Sequence, residues 1–251
     1  MFGFEGRRVV VTGAGGGLGT ALVELFAELG AAVVACDHPR MSLAGLPVAE
    51  TRAFDLADRE ATLAAASAIR AGGAPDVVIA NAGATRAETL AAMDPETFDR
   101  ELDVNLRGTV HFTAALLPAM RRRPRGAAFV FISSVNAGQH FGNPAYSAAK
   151  AGLEAWMRAI ATEEGPNGIR ANAVRPGSIR TPAWDARLER DPEIVRRVVA
   201  LYPLGRLVEP REVAMAVAFL ASDLARGITG VMLPVDAGLG AANLPFLRAI
   251  S

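Results

Sequence analysis

The residues best suited to proton chemistry in this 251-residue chain are Tyr146 and Lys150. Lys150 is the single lysine among 26 lysines and arginines, and Tyr146 is one of two tyrosines. A chain that writes arginine everywhere else and lysine here points to a need for a compact ammonium in place of a planar fork. On a helix, positions four apart share a face, so the ammonium can approach the phenol oxygen. A phenol titrates near ~10 in water and becomes an acid or base near neutrality only when its anion is stabilised, which a neighbouring cation does. Taken alone, the pentapeptide could also be a helix carrying a tyrosine and a solvated lysine by chance, so the surrounding elements decide.

Those elements alternate between strand and helix. Arg8 to Thr12 is a β-branched run, followed by Gly13-Ala14-Gly15-Gly16-Gly17-Leu18-Gly19 and the helical pattern Ala21, Leu22, Leu25, Phe26 and Leu29. Such a glycine turn lets the backbone approach a pyrophosphate and aims helix N-terminal amides at its charge. Ala32 to Cys36 is a second strand that stops at Asp37. A carboxylate there can accept hydrogen bonds from both adenosine ribose hydroxyls and would repel a 2′-phosphate. Pro39 to Thr51, broken by Pro39, Gly45 and Pro47, leaves room for at most a turn or two of helix. Arg52 to Leu56 reads as a brief third strand. Its Asp55 either meets the adenine amino group or, like Asp58, caps the helix from Arg59 to Ala71.

Val77 to Ala80 is a buried fourth strand ending in Asn81-Ala82-Gly83, small enough to leave room for a cofactor across the strand ends. Two helices follow, from Pro95 to about Leu106 and on to Met120. Asn105 within them needs partners, backbone carbonyls being the plain choice. Ala127 to Ile132 is the fifth strand and ends in Ser133-Ser134, a dozen residues before the tyrosine. The helix from Ala145 to Glu164 packs through Leu153, Trp156, Met157 and Ile160. Arg170 to Val174 is the sixth strand, leaving through Arg175 to Pro182. Residues 183–207 are polar and irregular, with an amphipathic stretch from Pro192 to Leu201, and form a candidate substrate lid. A helix from Arg211 to Ala221 and a strand from Gly230 to Val235 close the pattern. The expectation is an α/β chain, one domain over 1–251, with a doubly wound parallel sheet and helices on both faces.

A formal net charge of zero and a pI near 6.9 give no electrostatic footprint for nucleic acid or an anionic membrane. Arg121-Arg122-Arg123-Pro124-Arg125 reads as a solvated helix end. No apolar run reaches the ~18 residues of a membrane span, so a soluble cytoplasmic protein is expected. The lone Cys36 forms no intramolecular disulfide and reads as a buried small hydrophobe. His38, His111 and His140 show no ligand spacing, and no metal site is expected.

In combination, these motifs resemble the short-chain dehydrogenase/reductase family over essentially the whole chain. Thr12 to Gly19 matches its T-G-x-x-x-G-x-G, and Asn81-Ala82-Gly83 its N-A-G. Asn105 falls on its helical asparagine, Ser134 with Tyr146 and Lys150 on its S and Y-x-x-x-K, and Pro176-Gly177 with Thr181 on its P-G-x-x-x-T. The resemblance implies a Rossmann-type subunit, usually a homotetramer or homodimer, that moves hydride between a nicotinamide cofactor and a carbonyl or secondary alcohol. Tyr146 is then the general acid/base, and Lys150 favours its phenolate and bonds the nicotinamide ribose. Ser134 holds the substrate oxygen, and Asn105 fixes a water-linked proton path to Lys150. Gly13, Gly17 and Leu18 line the pyrophosphate turn, Asp37 the adenosine ribose, Asn81 the strand end, and Ile179 and Thr181 the carboxamide side. Ser133 is a rival to Ser134, whose spacing to Tyr146 is better.

Family members that use NADP usually carry a basic residue where this chain has Gly16 or Asp37-His38, so NAD is the expected cofactor, with Arg40 the reservation. The leading reading is an NAD-dependent dehydrogenase of a small-molecule secondary alcohol, with a sugar or polyol suggested by Asn136, Gln139, His140, Asn143, Phe141 and Trp184. The alternatives are an NADPH-dependent reductase of 3-oxoacyl thioesters or other ketones and, more distantly, a non-catalytic dinucleotide sensor.

Overall fold

Strand residues alternate between two apolar clusters. In β1 (Arg8–Thr12), Val9 and Val11 belong to one cluster and Val10 to the other. β2 (Ala32–Asp37) divides Val33 and Ala35 from Val34 and Cys36, and β5 (Ala127–Ile132) divides Val130 and Ile132 from Phe129 and Phe131. Both faces of the sheet are therefore covered, as parallel strands joined by crossover helices require. With β3 (Glu50–Ala53), β4 (Val77–Ala80), β6 (Ile169–Pro176) and β7 (Met232–Val235), seven parallel strands run in the order β3-β2-β1-β4-β5-β6-β7.

This computed structural model describes residues 2–86, 89–182, 184, 187, 189, 191–241 and 243–250. α1 (Gly17–Glu28) is followed by α2 (Arg59–Ala71), α3 (Pro95–Leu102), α4 (Gly108–Met120), α5 (Pro144–Glu163), α6 (Ile194–Val199), α7 (Pro210–Ala221) and α8 (Leu244–Ile250). α1 and α7 cover one face through Leu22, Phe26, Val213 and Val217. α2, α4 and α5 cover the other through Ile69, Phe112, Leu116, Leu153 and Met157. Trp156 packs at the edge of this second cluster and donates its indole N–H to Thr113 Oγ1 at 3.0 Å. None of the described helices is long and apolar enough to cross a membrane.

Three local features differ from the sequence expectation. β3 lies upstream of the anticipated Arg52–Leu56, pairing Glu50 to Ala53 with Val34 to Asp37. Phe54 and Leu56 are taken by the core instead, Phe54 stacking on Phe112 at 5.5 Å, so the chain leaves the sheet before Asp55. The helical run from Pro95 to Met120 is interrupted by a single wide π turn over Asp103–Arg107, which contains Asn105. Such turns cluster at functional sites. α8 was not anticipated; Asn243 caps it, accepting from the Phe246 amide at 3.1 Å, with Pro245 in the first turn. Of the anticipated lid, Ala183, Asp185, Ala186, Leu188 and Arg190 lie outside the described residues.

The chain runs outward from β1 through β2 to β3, then crosses back to β4 on the other side of β1. A crevice opens at the carboxyl ends of the strands at such a reversal.

Candidate active site

At that crevice, Thr12 ends β1 and Asn81 follows β4. Thr12 Oγ1 accepts from the Asn81 and Ala82 amides at 3.0 and 3.1 Å, and Asn81 Nδ2 donates to the carbonyls of Thr12 and Gly13 at 3.0 and 2.9 Å. Asn81 thus spends its side chain holding the glycine turn in place. Gly13 sits at φ +66°, and a Cβ there would lie 2.8 Å from Ala82 Cα; one at Gly19 would lie 1.9 Å from the Gly13 carbonyl oxygen. Only glycine permits this turn. Gly17 packs directly under Thr181, whose Cγ2 would lie 2.8 Å from an added Cβ.

A cleft of about 480 Å³ opens over the turn, lined by Gly13, Gly17, Leu18, Asp37, Asp55 and Asn81 among others. Asp37 Oδ2 accepts from the Gly15 amide and Oδ1 from the His38 amide, each at 2.7 Å, which leaves further lone pairs for a ligand. Asp55 accepts from the Ala57 amide at 2.9 Å and lies 3.6 Å from His38 Nε2; Asp58, not Asp55, caps α2. Cys36 contributes an inert thiol, its pKa pushed up to about 12 by burial. A bare amide turn for a pyrophosphate beside a carboxylate for a diol fits a dinucleotide. Ile179 does not line this cleft: it packs against the first core cluster and pairs with Val208.

Beyond the turn, Asn105, Lys150, Tyr146 and Ser134 come together. Asn105 is fully buried; its Nδ2 donates to the carbonyls of Ala84 and Glu101 at 2.6 and 2.9 Å, and its Oδ1 accepts from the Ala84 amide at 3.1 Å. A Cβ at Gly83 would lie 2.8 Å from Asn105 Oδ1 and 3.3 Å from Lys150 Nζ, so Gly83 is the spacer between them. Lys150 is 2 % exposed and donates to the Ile132 carbonyl at 2.8 Å. Burial lowers its pKa to about 8. The Tyr146 phenol is raised above its ordinary value, first by burial; its hydrogen bond with Ser134 acts the other way, and the charge on Glu101 adds to the rise.

Ser133 is engaged elsewhere. Its hydroxyl donates to Glu154 at 2.7 Å, and Arg175 holds the same carboxylate with two nitrogens at 2.6 and 2.5 Å. In the following loop Asn136 donates to the Gly142 carbonyl at 2.8 Å, and Asn143, left-handed at φ 50°, precedes α5. These two amides, partly exposed, shape the loop, while Gln139, His140 and Phe141 are exposed. Trp184 carries the Arg187 guanidinium over its ring at 5.4 Å.

A family model described as enoyl-(acyl carrier protein) reductase matches residues 13–240. A solved oxidoreductase from Burkholderia thailandensis, described as of the short chain dehydrogenase/reductase family, has a TM-score of 0.89 at 40% identity, covering 98% of this chain and 97% of that one. The chain belongs to the short-chain dehydrogenase/reductase family. The 3-oxoacyl-(acyl-carrier-protein) reductase of Thermotoga maritima is 36% identical to it over 248 residues, 94% of this chain and 98% of its own. The ligand-free aldohexose dehydrogenase of Thermoplasma acidophilum has a TM-score of 0.88 at 30% identity, covering 97% and 98%. As a short-chain dehydrogenase/reductase, the protein is an oxidoreductase for CH–OH or keto groups that works with a nicotinamide dinucleotide.

Beside this site lies a residue that the sequence did not single out, Glu101, whose carboxylate is buried one turn before Asn105. Its spacing of four to Asn105 was the available signal.

Proposed function

We propose that this protein is an NAD-dependent dehydrogenase of secondary alcohols, with Tyr146 as general acid/base. The observation that carries the cofactor choice is Asp37, whose carboxylate borders the cleft with both oxygens oriented by backbone amides. A diol satisfies its remaining lone pairs, and a 2′-phosphate is repelled.

NAD, when bound, supplies the hydride acceptor. Ser134 holds the substrate oxygen, and Tyr146 takes its proton as the C–H bond breaks. Lys150 has three N–H donors and uses one on Ile132, leaving two for the phenol and the nicotinamide ribose. Asn105 keeps the wide turn in shape for a water-linked proton path to Lys150, while Gly13, Gly17, Leu18 and Asn81 form the pyrophosphate side. Thr181, packed on Gly17, belongs to the carboxamide side, which Ile179 can meet only through its backbone because its side chain packs into the core, and Asp55 belongs to the adenine end. Residues 183–207 form the substrate lid, and the assembly is a homotetramer or homodimer. The aldohexose dehydrogenase neighbour supports sugars and polyols as the first substrates to test.

The Thermotoga relative favours a second reading, reduction of 3-oxoacyl thioesters with NADPH. Initial rates with NAD and NADP on a panel of secondary alcohols, and with NADH and NADPH on 3-oxoacyl thioesters, separate the two. The first reading expects the higher kcat/KM with NAD and an alcohol, and expects Asp37→Asn to lower it roughly 10- to 100-fold while NADP gains. Faster NADPH-driven thioester reduction overturns it, and no Tyr146-dependent turnover in any arm returns the non-catalytic sensor.

A further inference from the structure

The basic run that closes α4 is not the uniformly solvated helix end that its sequence suggests. Arg121 is held by Glu164, Arg122 donates to the Pro118 carbonyl at 2.8 Å, and Arg123 is held by Asp76. The Arg125 side chain, by contrast, makes no hydrogen bond or ion pair among the described residues. It lines a cavity of about 310 Å³ together with Arg7, Arg170 and Arg226.

This cavity lies at the other end of the sheet from the catalytic crevice. Its wall includes Gly126 and Ala127, where β5 begins, and Gly168 and Ile169, where β6 begins. A strand of five or six residues rises roughly 17 to 20 Å, and that length separates the two places. Gly126 and Gly168 are both left-handed, at φ +73° and +72°, and a Cβ at Gly126 would lie 2.3 Å from the Gly168 carbonyl oxygen. Here the wall is bare backbone, one turn pressed on the other.

The lining gathers more positive charge than it neutralises. Four of its residues are arginines and two are carboxylates. Asp76 is already taken by Arg123 and by the Arg8 amide, the latter at 2.8 Å. Asp223 pairs with Arg7 at 2.6 Å, and its charge also reaches Arg170 and Arg125, so one acid serves three arginines. Arg170 spends its guanidinium on the carbonyls of Leu220, Ala221, Ser222 and Ile228, where the negative end of α7 helps to hold it. The Arg226 side chain, like that of Arg125, has no hydrogen bond or ion pair among the described residues. Like charges facing one concavity repel until a counter-charge joins them, and the volume suits a small molecule.

The geometry points to an anion site at this end of the sheet, in which Arg125 and Arg226, with the more buried Arg7 and Arg170, hold the dianionic phosphate of a small phosphate ester. Guanidinium forks match phosphate oxygens two at a time, and two of these forks are uncommitted. A phosphate held there ties the start of β5 to the loop that follows α7. The site is independent of the cofactor cleft and of the reaction assigned to it.

Calorimetric titration with inorganic phosphate tests this, at about pH 8 where the dianion prevails. The protein is first saturated with the dinucleotide that it binds, so that the glycine turn is filled. One saturable phosphate per chain is expected, with methyl phosphate binding at least as tightly and acetate, at equal ionic strength, at least roughly tenfold more weakly. The double variant Arg125→Gln/Arg226→Gln should lose at least roughly tenfold in affinity, and Arg125→Gln alone at least roughly threefold. Arg122→Gln, outside the lining, should bind like the parent, and turnover should be unchanged in all three variants. Phosphate should also raise the Tm of the parent more than that of the double variant, which separates binding from the general stabilisation that phosphate gives any protein. Absence of saturable binding, equal affinity in the double variant, or acetate as tight as phosphate each overturns the proposal. Methyl phosphate bound roughly tenfold more weakly than inorganic phosphate would overturn the assignment to an ester.

Discussion

The Lys150 ammonium nitrogen lies 5.5 Å from the centroid of the Tyr146 ring and makes its one hydrogen bond among the described residues to Ile132. The lysine is thus held beside the phenol by the end of β5 before any ligand is present. Its space is bounded by Gly83 on one side and the Ile132 carbonyl on the other.

This confinement makes charge alone insufficient. Lys150→Arg keeps the cation, but a guanidinium is broader and offers a planar fork where the site has room for a compact head. A fall in kcat of ~100-fold or more is expected at saturating cofactor. Near-parental turnover would remove the argument from the single lysine.

The same burial has a cost in stability that depends on pH. Lys150 titrates at about 8 in the folded protein against an ordinary 10.5, so the unfolded chain binds more protons between those values. The penalty is complete below pH 8 and fades as pH rises toward 10.5. Lys150→Met is expected to be inactive yet more heat-stable than the parent at pH 7, by at most roughly 3 kcal/mol because the Ile132 carbonyl loses its donor. The difference in Tm between the two proteins should shrink between pH 8 and 10.5. A gap that widens over that range would contradict the assignment.

Two adjacent serines are expected to separate activity from stability. Ser134→Ala removes the hydroxyl that bonds Tyr146 and should cost ~100- to 1000-fold in kcat with little change in Tm. Ser133→Ala strips a hydrogen bond from the buried Glu154–Arg175 pair and should cost about 1 to 3 kcal/mol while sparing most of the turnover. Steady-state kinetics and denaturant melts on both variants would expose a reversed pattern.

Gly83→Ala forces a methyl to within 2.8 Å of Asn105 Oδ1 and 3.3 Å of Lys150 Nζ. Overpacking of this kind costs about 1 to 3 kcal/mol, and here the strain falls on two groups of the site. A kcat loss larger than the stability loss explains is expected. Full activity would show that the spacing between Asn105 and Lys150 is not constrained.

Most of the sheet was legible because parallel strands buried on both faces give short apolar runs such as VVIA and AAFVFI, and a glycine turn follows the first of the strands. β3 was misplaced because Phe54 and Leu56 alternate like strand residues while serving the core. The π turn around Asn105 was not legible, since the same residues can close onto the fourth or the fifth preceding carbonyl. Glu101 sits in PETFDREL, a stretch so polar that its composition does not mark one acid as the buried one. The Ser133 and Ser134 choice was open to a better reading: β5 alternates, and Ser133 continues the Phe129 and Phe131 side toward α5, where Glu154 waits.

The Ile179–Val208 pairing has a further meaning for how such a site can diverge. Arg180 donates to the Val208 carbonyl at 2.8 Å and Val208 to the Ser178 carbonyl at 3.0 Å, so the intervening chain departs and returns at one point beside the sheet. A segment with its two ends already joined can be lengthened, shortened or exchanged at small entropic cost, about 0.6 kcal/mol for each doubling. The segment joined at Ile179 and Val208 is therefore exchangeable, and on the proposal that it forms the substrate lid a chimaera cut at those two residues should keep the parental sheet while inheriting the donor's choice of alcohol.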